Sequence, residues 1–237
     1  MLFFYLRHGD PIYSPDSLTE LGHQQAEALS KRLAVYGLDK VYASTSNRAI
    51  QTAQPTCERL GLPIETLDFA NEGYAWNDFT IETEAGRQWL FANKESRWLF
   101  SEPEVISLGS GWYTHPHFAE FHYEKGIERV CRESDALFAS LGYEHIPGTG
   151  KYRVLFQNND RVALFAHQGF GLAFLSCLLD IPYSQFVNHF DMCHTGMTVI
   201  NFQECDGFCI PKILTLSDDS HLYKEGLPLK YNHTIPF

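Results

Sequence analysis

The sequence predicts an α/β fold built on a mostly parallel central sheet, and a few stretches carry that expectation. The apolar run Leu2-Phe3-Phe4-Tyr5-Leu6 stops abruptly at Arg7-His8, as a buried parallel strand does at its carboxyl end. A helical pattern then leads into Lys40-Val41-Tyr42-Ala43-Ser44, giving strand, helix and strand with the connection length of a βαβ unit. Far along the chain, the strongly apolar run from Arg161 to Ala166 is followed by His167, Gln168, Gly169 and a helical run.

Taken in order, a polar loop with Pro11, Pro15 and Asp16 follows the first strand. Gly9 is expected to let the backbone turn tightly and approach a ligand with no Cβ in the way. Ser17-Leu18-Thr19-Glu20 has the Ser-x-x-Glu form of a capping box, so a helix is expected to open there. Leu21, Ala28, Leu29, Leu33 and Tyr36 recur at helical spacing, and Gly37 supplies the stop. Beyond the second strand, Arg48 falls in the first turn of a helix running to Leu60 and Gly61. Free backbone N–H groups and the helix dipole favour an anion at that end.

Pro63 to Leu67 reads as a third short strand, with Glu72 in the loop after it. From about residue 73 to 123 the character changes, and this stretch holds all 4 tryptophans. Strand periodicity is absent and helical periodicity weak, which predicts an aromatic-rich lid or subdomain inserted in a single domain spanning residues 1–237. Its aromatics are expected to pack onto the core, with a stacking wall for an aromatic or sugar substrate as the alternative. Glu120 to Leu141 returns to helical spacing. Lys151 to Gln157 and Arg161 to Ala166, separated by Asn158-Asn159-Asp160, read as a hairpin. Phe170 to Leu179 is apolar on nearly every side and predicts a buried helix. Met197 to Phe202 and Phe208 to Leu216 read as two late strands, and the chain past Leu222 carries little signal.

Composition narrows the partners. A net charge of -11 and a pI near 5.4 argue against nucleic-acid or anionic-membrane surfaces, so a phosphate-bearing ligand needs a local cationic pocket. The 6 cysteines include no Cys-x-x-Cys pair, and reduced cytosolic thiols are expected. The first apolar run is too short for the core of a signal peptide, and no later segment approaches a membrane span. A soluble cytoplasmic protein is the expectation; oligomeric state is left open.

Arg7, His8, Arg48, Glu72 and His167 are thus expected at one edge of the sheet, the edge where α/β proteins bind ligands. Singly they are ordinary: an Arg-His-Gly triplet also suits a solvated turn, and Arg48 a surface helix. Together they supply what phosphoryl transfer through a histidine needs. A neutral imidazole is a competent nucleophile, and a covalent intermediate divides one hard displacement into two easier ones. Arginines and a second, protonated histidine can stabilise the transferring group, and a nearby carboxyl can protonate the leaving oxygen and then activate water. Such a scheme requires no metal. A metal-dependent hydrolase is the competing expectation, with ligands from His115, His117 and His122, or from His189, Asp191 and His194.

These residues resemble the histidine phosphatase superfamily, also called phosphoglycerate mutase-like. The resemblance is carried by Leu6-Arg7-His8-Gly9 and by Leu18-Thr19-Glu20-Leu21-Gly22-His23-Gln24-Gln25-Ala26, which is similar to the family's Leu-Thr-x-x-Gly-x-x-Gln-Ala helix start. It continues through Ser46-Asn47-Arg48-Ala49-Ile50-Gln51-Thr52-Ala53 and the later His167-Gln168-Gly169. The resemblance implies a three-layer α/β/α sandwich in which His8 becomes phosphorylated. It also implies that Arg7, Arg48 and His167 bind the phosphate of a small substrate and that Glu72 donates the proton, with no cofactor and no metal. Glu72-Gly73-Tyr74-Ala75-Trp76-Asn77-Asp78 only approximates the family's Gly-x-Trp-Glu-Gly, so Asp78 and Glu120 remain rivals for the acid. Asp10-Pro11 replaces the usual Glu-Thr, and the mutases' substrate-carboxylate motifs are not recognisable. These departures favour a phosphatase over a phosphoglycerate-mutase-like phosphoryl transferase, with a catalytically silent binder of a phosphorylated ligand as a further alternative.

Overall fold

Alternation along the first strand divides the molecule into layers. Phe3, Phe4, Tyr5 and Leu6 are all fully buried, which requires cover on both faces of the sheet. In the computed structural model, which describes residues 1–233 and 235, this strand β1 (Leu2–Arg7) lies inside a 6-stranded sheet. Its partners are β2 (Lys40–Ser44), β3 (Glu65–Leu67), β4 (Arg161–Ala166), β5 (Met197–Asn201) and β6 (Lys212–Asp218), in the order β6-β5-β1-β4-β2-β3. β1 pairs parallel with β4, β4 with β2 and β2 with β3, whereas β5 is antiparallel to both β1 and β6. The sheet is therefore mostly parallel, with β5 alone running against the rest.

Phe4 and Leu6 face α1 (Glu20–Tyr36) and α2 (Asn47–Leu60), packing with Leu29, Leu33 and Ala53. Phe3 and Tyr5 face the opposite layer, formed by α3 (Glu72–Asp78), α4 (Tyr123–Ser140) and α5 (Gln168–Leu179). There Phe3 meets Phe138 at 5.1 Å between ring centroids, and Tyr5 meets Phe174 at 5.6 Å. This is the three-layer α/β/α arrangement that the family resemblance implies.

Several local expectations are corrected. The Lys151 strand does not form a hairpin with β4. Lys151–Val154 pairs with Tyr143–Ile146 and Phe208–Cys209 in a separate 4-stranded sheet, because β1 and β2 occupy both edges of β4. The late strand from Phe208 to Leu216 is two strands in different sheets, Phe208–Cys209 and β6, divided around Pro211, which has no N–H to donate to a ladder. Helix α1 opens not at Ser17 but after Thr19, whose Oγ1 accepts from Gly22 N at 3.0 Å. Thr19 also bonds Asp10, which keeps Asp16–Leu18 extended and paired with Pro11–Tyr13. Gly9 is also required for helix packing: a Cβ there would stand 2.7 Å from Gly22 O of α1.

The aromatic stretch contains strands after all, Thr80–Thr83 paired with Gly86–Trp89, too short to show a period. Short helices follow, Lys94–Phe100 and Pro103–Leu108, and Trp112 is fully buried among Phe100, Phe118, Tyr123 and Tyr183. Much of this stretch is therefore core. No helix among the described residues is long and apolar enough to cross a membrane.

The small sheet is tied to the helical layer by His145, whose Nδ1 lies 2.8 Å from Asp135 Oδ1 and whose Nε2 lies 3.1 Å from Asp180 Oδ2. Burial works against a charge on this ring, but the hydrogen bonds and charges of the two aspartates outweigh it and raise its pKa. A raised folded-state pKa stabilises the fold fully below the unfolded value near 6.5, and the contribution is lost as pH rises through the folded value. Wild type is therefore expected to lose about 2–4 °C of Tm more than His145→Gln between about pH 6 and pH 9. Parallel melting curves for the two proteins would contradict this.

Candidate active site

Parallel strands end together, and the candidate site residues stand at their ends. Arg7 closes β1 and His8 follows it; Ser44 closes β2 and Arg48 stands in the first turn of α2; His167 follows β4 as the N-cap of α5. Glu72 is the first residue of α3, not a loop residue, with Asn71 as its N-cap. Arg7, His8, Arg48 and Glu72 line one cavity of about 720 Å³. His167 is packed behind them, its ring 5.2 Å from that of His8 and its Nδ1 3.2 Å from Arg48 Nη2. The structure thus brings together all five residues singled out in the sequence.

Hydrogen bonds assign the tautomers. His8 Nδ1 lies 2.7 Å from Gly9 O, and a carbonyl only accepts, so Nδ1 carries the proton. Burial, then the neighbouring His167, Arg7 and Arg48, hold the His8 pKa well below the ordinary histidine value. The ring is neutral, and Nε2 keeps a free lone pair. In His167, Nδ1 accepts from Arg48, so Nε2–H donates to Ser44 Oγ at 2.7 Å. Tyr5 Oη fixes the same residue by donating to its carbonyl at 2.7 Å and accepting from its N–H at 3.2 Å. The sequence calls for a protonated second histidine, but burial and the charges of Arg48 and Arg7 push the pKa of His167 well down and favour its neutral form.

Both guanidiniums are buried and incompletely satisfied. Arg7 donates to Met192 O and Asn232 Oδ1, and Arg48 to Asp16 Oδ1 and His167, while the Nε of each has no partner among the described residues. A buried charged donor without an acceptor is costly, so the pair is suited to an anion entering the cavity. Glu72 takes the amides of Gly169 and Phe170 at 2.9 Å each. Burial raises its pKa, and those amides with Arg48 and Arg7 offset this only in part. Its rivals lie elsewhere: Asp78 is paired with Arg129 at 2.6 Å, Glu120 sits in the exposed turn Ala119–Phe121, and neither lines the cavity.

Other contributors escape a sequence reading. Asn232 bonds Arg7, His194 and Gln168 from the far end of the chain, where no pattern marks it. His194, considered only as a metal ligand, stacks on His8 at 5.8 Å, and burial lowers its pKa to about 3. Asp16 pairs with Arg48 from the first loop. The remaining candidate ligands are dispersed, with His117 facing Glu95 and His122 facing Glu124, and no group of 3 or more His, Cys, Asp or Glu placed to hold a metal occurs among the described residues.

Comparison with known proteins bears on the fold. The model of the histidine phosphatase superfamily, branch 1, matches residues 5–110 of this chain. Among solved structures, a mutant phosphoserine phosphatase from Entamoeba histolytica in complex with phosphoserine is similar at 15% identity and a TM-score of 0.59, over 93% of this chain and 98% of that one. A mycobacterial glucosyl-3-phosphoglycerate phosphatase is similar at 21% identity and a TM-score of 0.58, over 91% and 98%. A mycobacterial hydrolase gives 19% and 0.58, over 92% and 98%. At these identities the likeness is one of fold. Comparison of the sequence with curated proteins gives no match.

Ser44→Ala removes the acceptor of the buried His167 Nε2–H and is expected to cost about 1–3 kcal/mol. Urea unfolding checks this as a lower midpoint at unchanged slope; an unchanged midpoint would mean that the ring finds another acceptor.

Proposed function

We propose that the protein is a metal-independent phosphomonoesterase acting on a small phosphorylated substrate through a phosphohistidine on His8. The observation that carries this reading is the free Nε2 of a neutral His8 beside two buried guanidiniums whose Nε–H groups have no acceptor among the described residues. The phosphate sits against Arg7, Arg48 and His167. Its negative charge raises the pKa of His167, which then becomes a protonated donor to a phosphate oxygen. His8 Nε2 attacks phosphorus, the ester P–O bond breaks, and the departing oxygen takes the proton of Glu72. The Glu72 carboxylate next removes a proton from water, whose oxygen attacks phosphorus as the N–P bond breaks. Inorganic phosphate leaves, and both His8 and Glu72 return to their starting states.

The stretch 73–123 acts in this reading as a lid wall, presenting Trp76 and Trp89 to the same cavity. A cavity of about 720 Å³ suits a small molecule.

The test is hydrolysis of phenyl phosphate with EDTA present. Wild type is expected to turn over and His8→Ala to be inactive. Because the phenoxide leaving group gains from protonation, Glu72→Gln should lower kcat by about 10²–10⁴-fold. The wild-type rate of ester cleavage should fall as pH rises through the raised pKa of Glu72, a limb that the glutamine variant lacks. Activity that survives in His8→Ala, or appears only without EDTA, would reject the proposal.

A further inference from the structure

The cavity has an uneven set of charges. Among the described residues Arg7 and Arg48 are its cationic lining, and the phosphate occupies both in the reading above. Asp16 lines the same cavity and is held firmly. Its Oδ1 accepts from Arg48 Nη1 at 2.6 Å and its Oδ2 from the backbone N of Asn47 at 2.7 Å, while Asn47 Nδ2 donates to its main-chain oxygen at 2.8 Å. The carboxylate of Asp16 therefore occupies the start of α2, where a second anionic group of a substrate would otherwise find free N–H groups.

The part of the cavity next to the acid is aromatic. Trp89 meets Trp76 edge to face at 4.9 Å, and a Cβ on Gly169 would fall 2.5 Å from the Trp89 ring, so the indole rests on the turn whose amides hold Glu72. A leaving group that takes a proton from Glu72 must lie beside this indole. Tyr13 adds a further ring at the mouth, 5.5 Å from the guanidinium carbon of Arg48.

We infer that Asp16 and Trp89 set the substrate class: a phosphomonoester whose alcohol is uncharged or cationic and carries a flat apolar group, and not one with a carboxylate beside the ester. This deepens the phosphatase reading and rests on it. With a phosphate dianion bound, a neighbouring carboxylate meets Asp16 and no free cation, whereas an aromatic group covers the indoles and displaces water from them.

The test uses three primary alkyl esters, 2-phenylethyl phosphate, glycerol 3-phosphate and 3-phosphoglycerate, whose leaving groups are alike. In wild type, kcat/KM should fall in that order, with glycerol 3-phosphate ahead of 3-phosphoglycerate by on the order of a hundredfold. Asp16→Asn, which keeps the shape and removes the charge, should narrow that ratio by about tenfold. Trp89→Ala should remove most of the advantage of the phenylethyl ester over the glycerol ester. A ratio near one in wild type, or ratios that neither substitution moves, would overturn the inference and leave the phosphatase reading standing. No turnover of any of the three, together with none of phenyl phosphate, would overturn both.

Discussion

Two guanidiniums held out of water at the ends of parallel strands are the constraint on which this structure turns. Burying an arginine is costly unless its donors are satisfied, and the surrounding chain is arranged to satisfy most of them. Met192 and Asn232 serve Arg7, and Asp16 and His167 serve Arg48. The Nε of each remains buried without a partner among the described residues, and both side chains line the cavity.

Sheet register sets the distances. Arg7 pairs with Ala166 and Phe165 with Ala43, so His8 and His167 emerge at one level on adjacent strands, with Ser44 one residue behind them on the third. His8 N donates to Ala166 O at 2.9 Å, which continues the ladder one residue past β1 and aligns the two imidazoles. A slip of one residue would turn Phe3 and Tyr5 onto the opposite helical layer and remove His8 from the cavity. The aromatic packing of Phe3 and Tyr5 against α4 and α5 thus indirectly fixes the position of His8. Pre-organisation of this kind lets dipoles and charges act on a reacting group without first having to reorient.

The central residues of the site were legible because each one punctuates a local pattern. Arg7 and His8 end an apolar run, Arg48 starts a helix, and His167 lies between a buried strand and a buried helix. Asn232, Asp16 and His194 were not legible in the same way, since each matters through a partner distant in sequence. The hairpin error has the same origin: the neighbours of β4 are β1 and β2, far away in the chain, and nothing local to Arg161 names them. At the start of α1, Ser17 and Thr19 are both acceptable caps, and Asp10, outside the motif, decides between them. The aromatic stretch misled in another way. Strands and helices of a few residues are too short to show a period, so its tryptophans gave no indication of which would be core and which would line the cavity.

Covalent capture of the phosphoryl group is the most direct measurement. Wild-type protein would be mixed with a ³²P-labelled phosphomonoester, stopped in alkali within the first turnover, and mapped by peptide. A mechanism through His8 predicts acid-labile label on the peptide containing His8, appearing before free phosphate and decaying as phosphate forms. Steady release of phosphate with no labelled peptide at any time, or label on another residue, would contradict it.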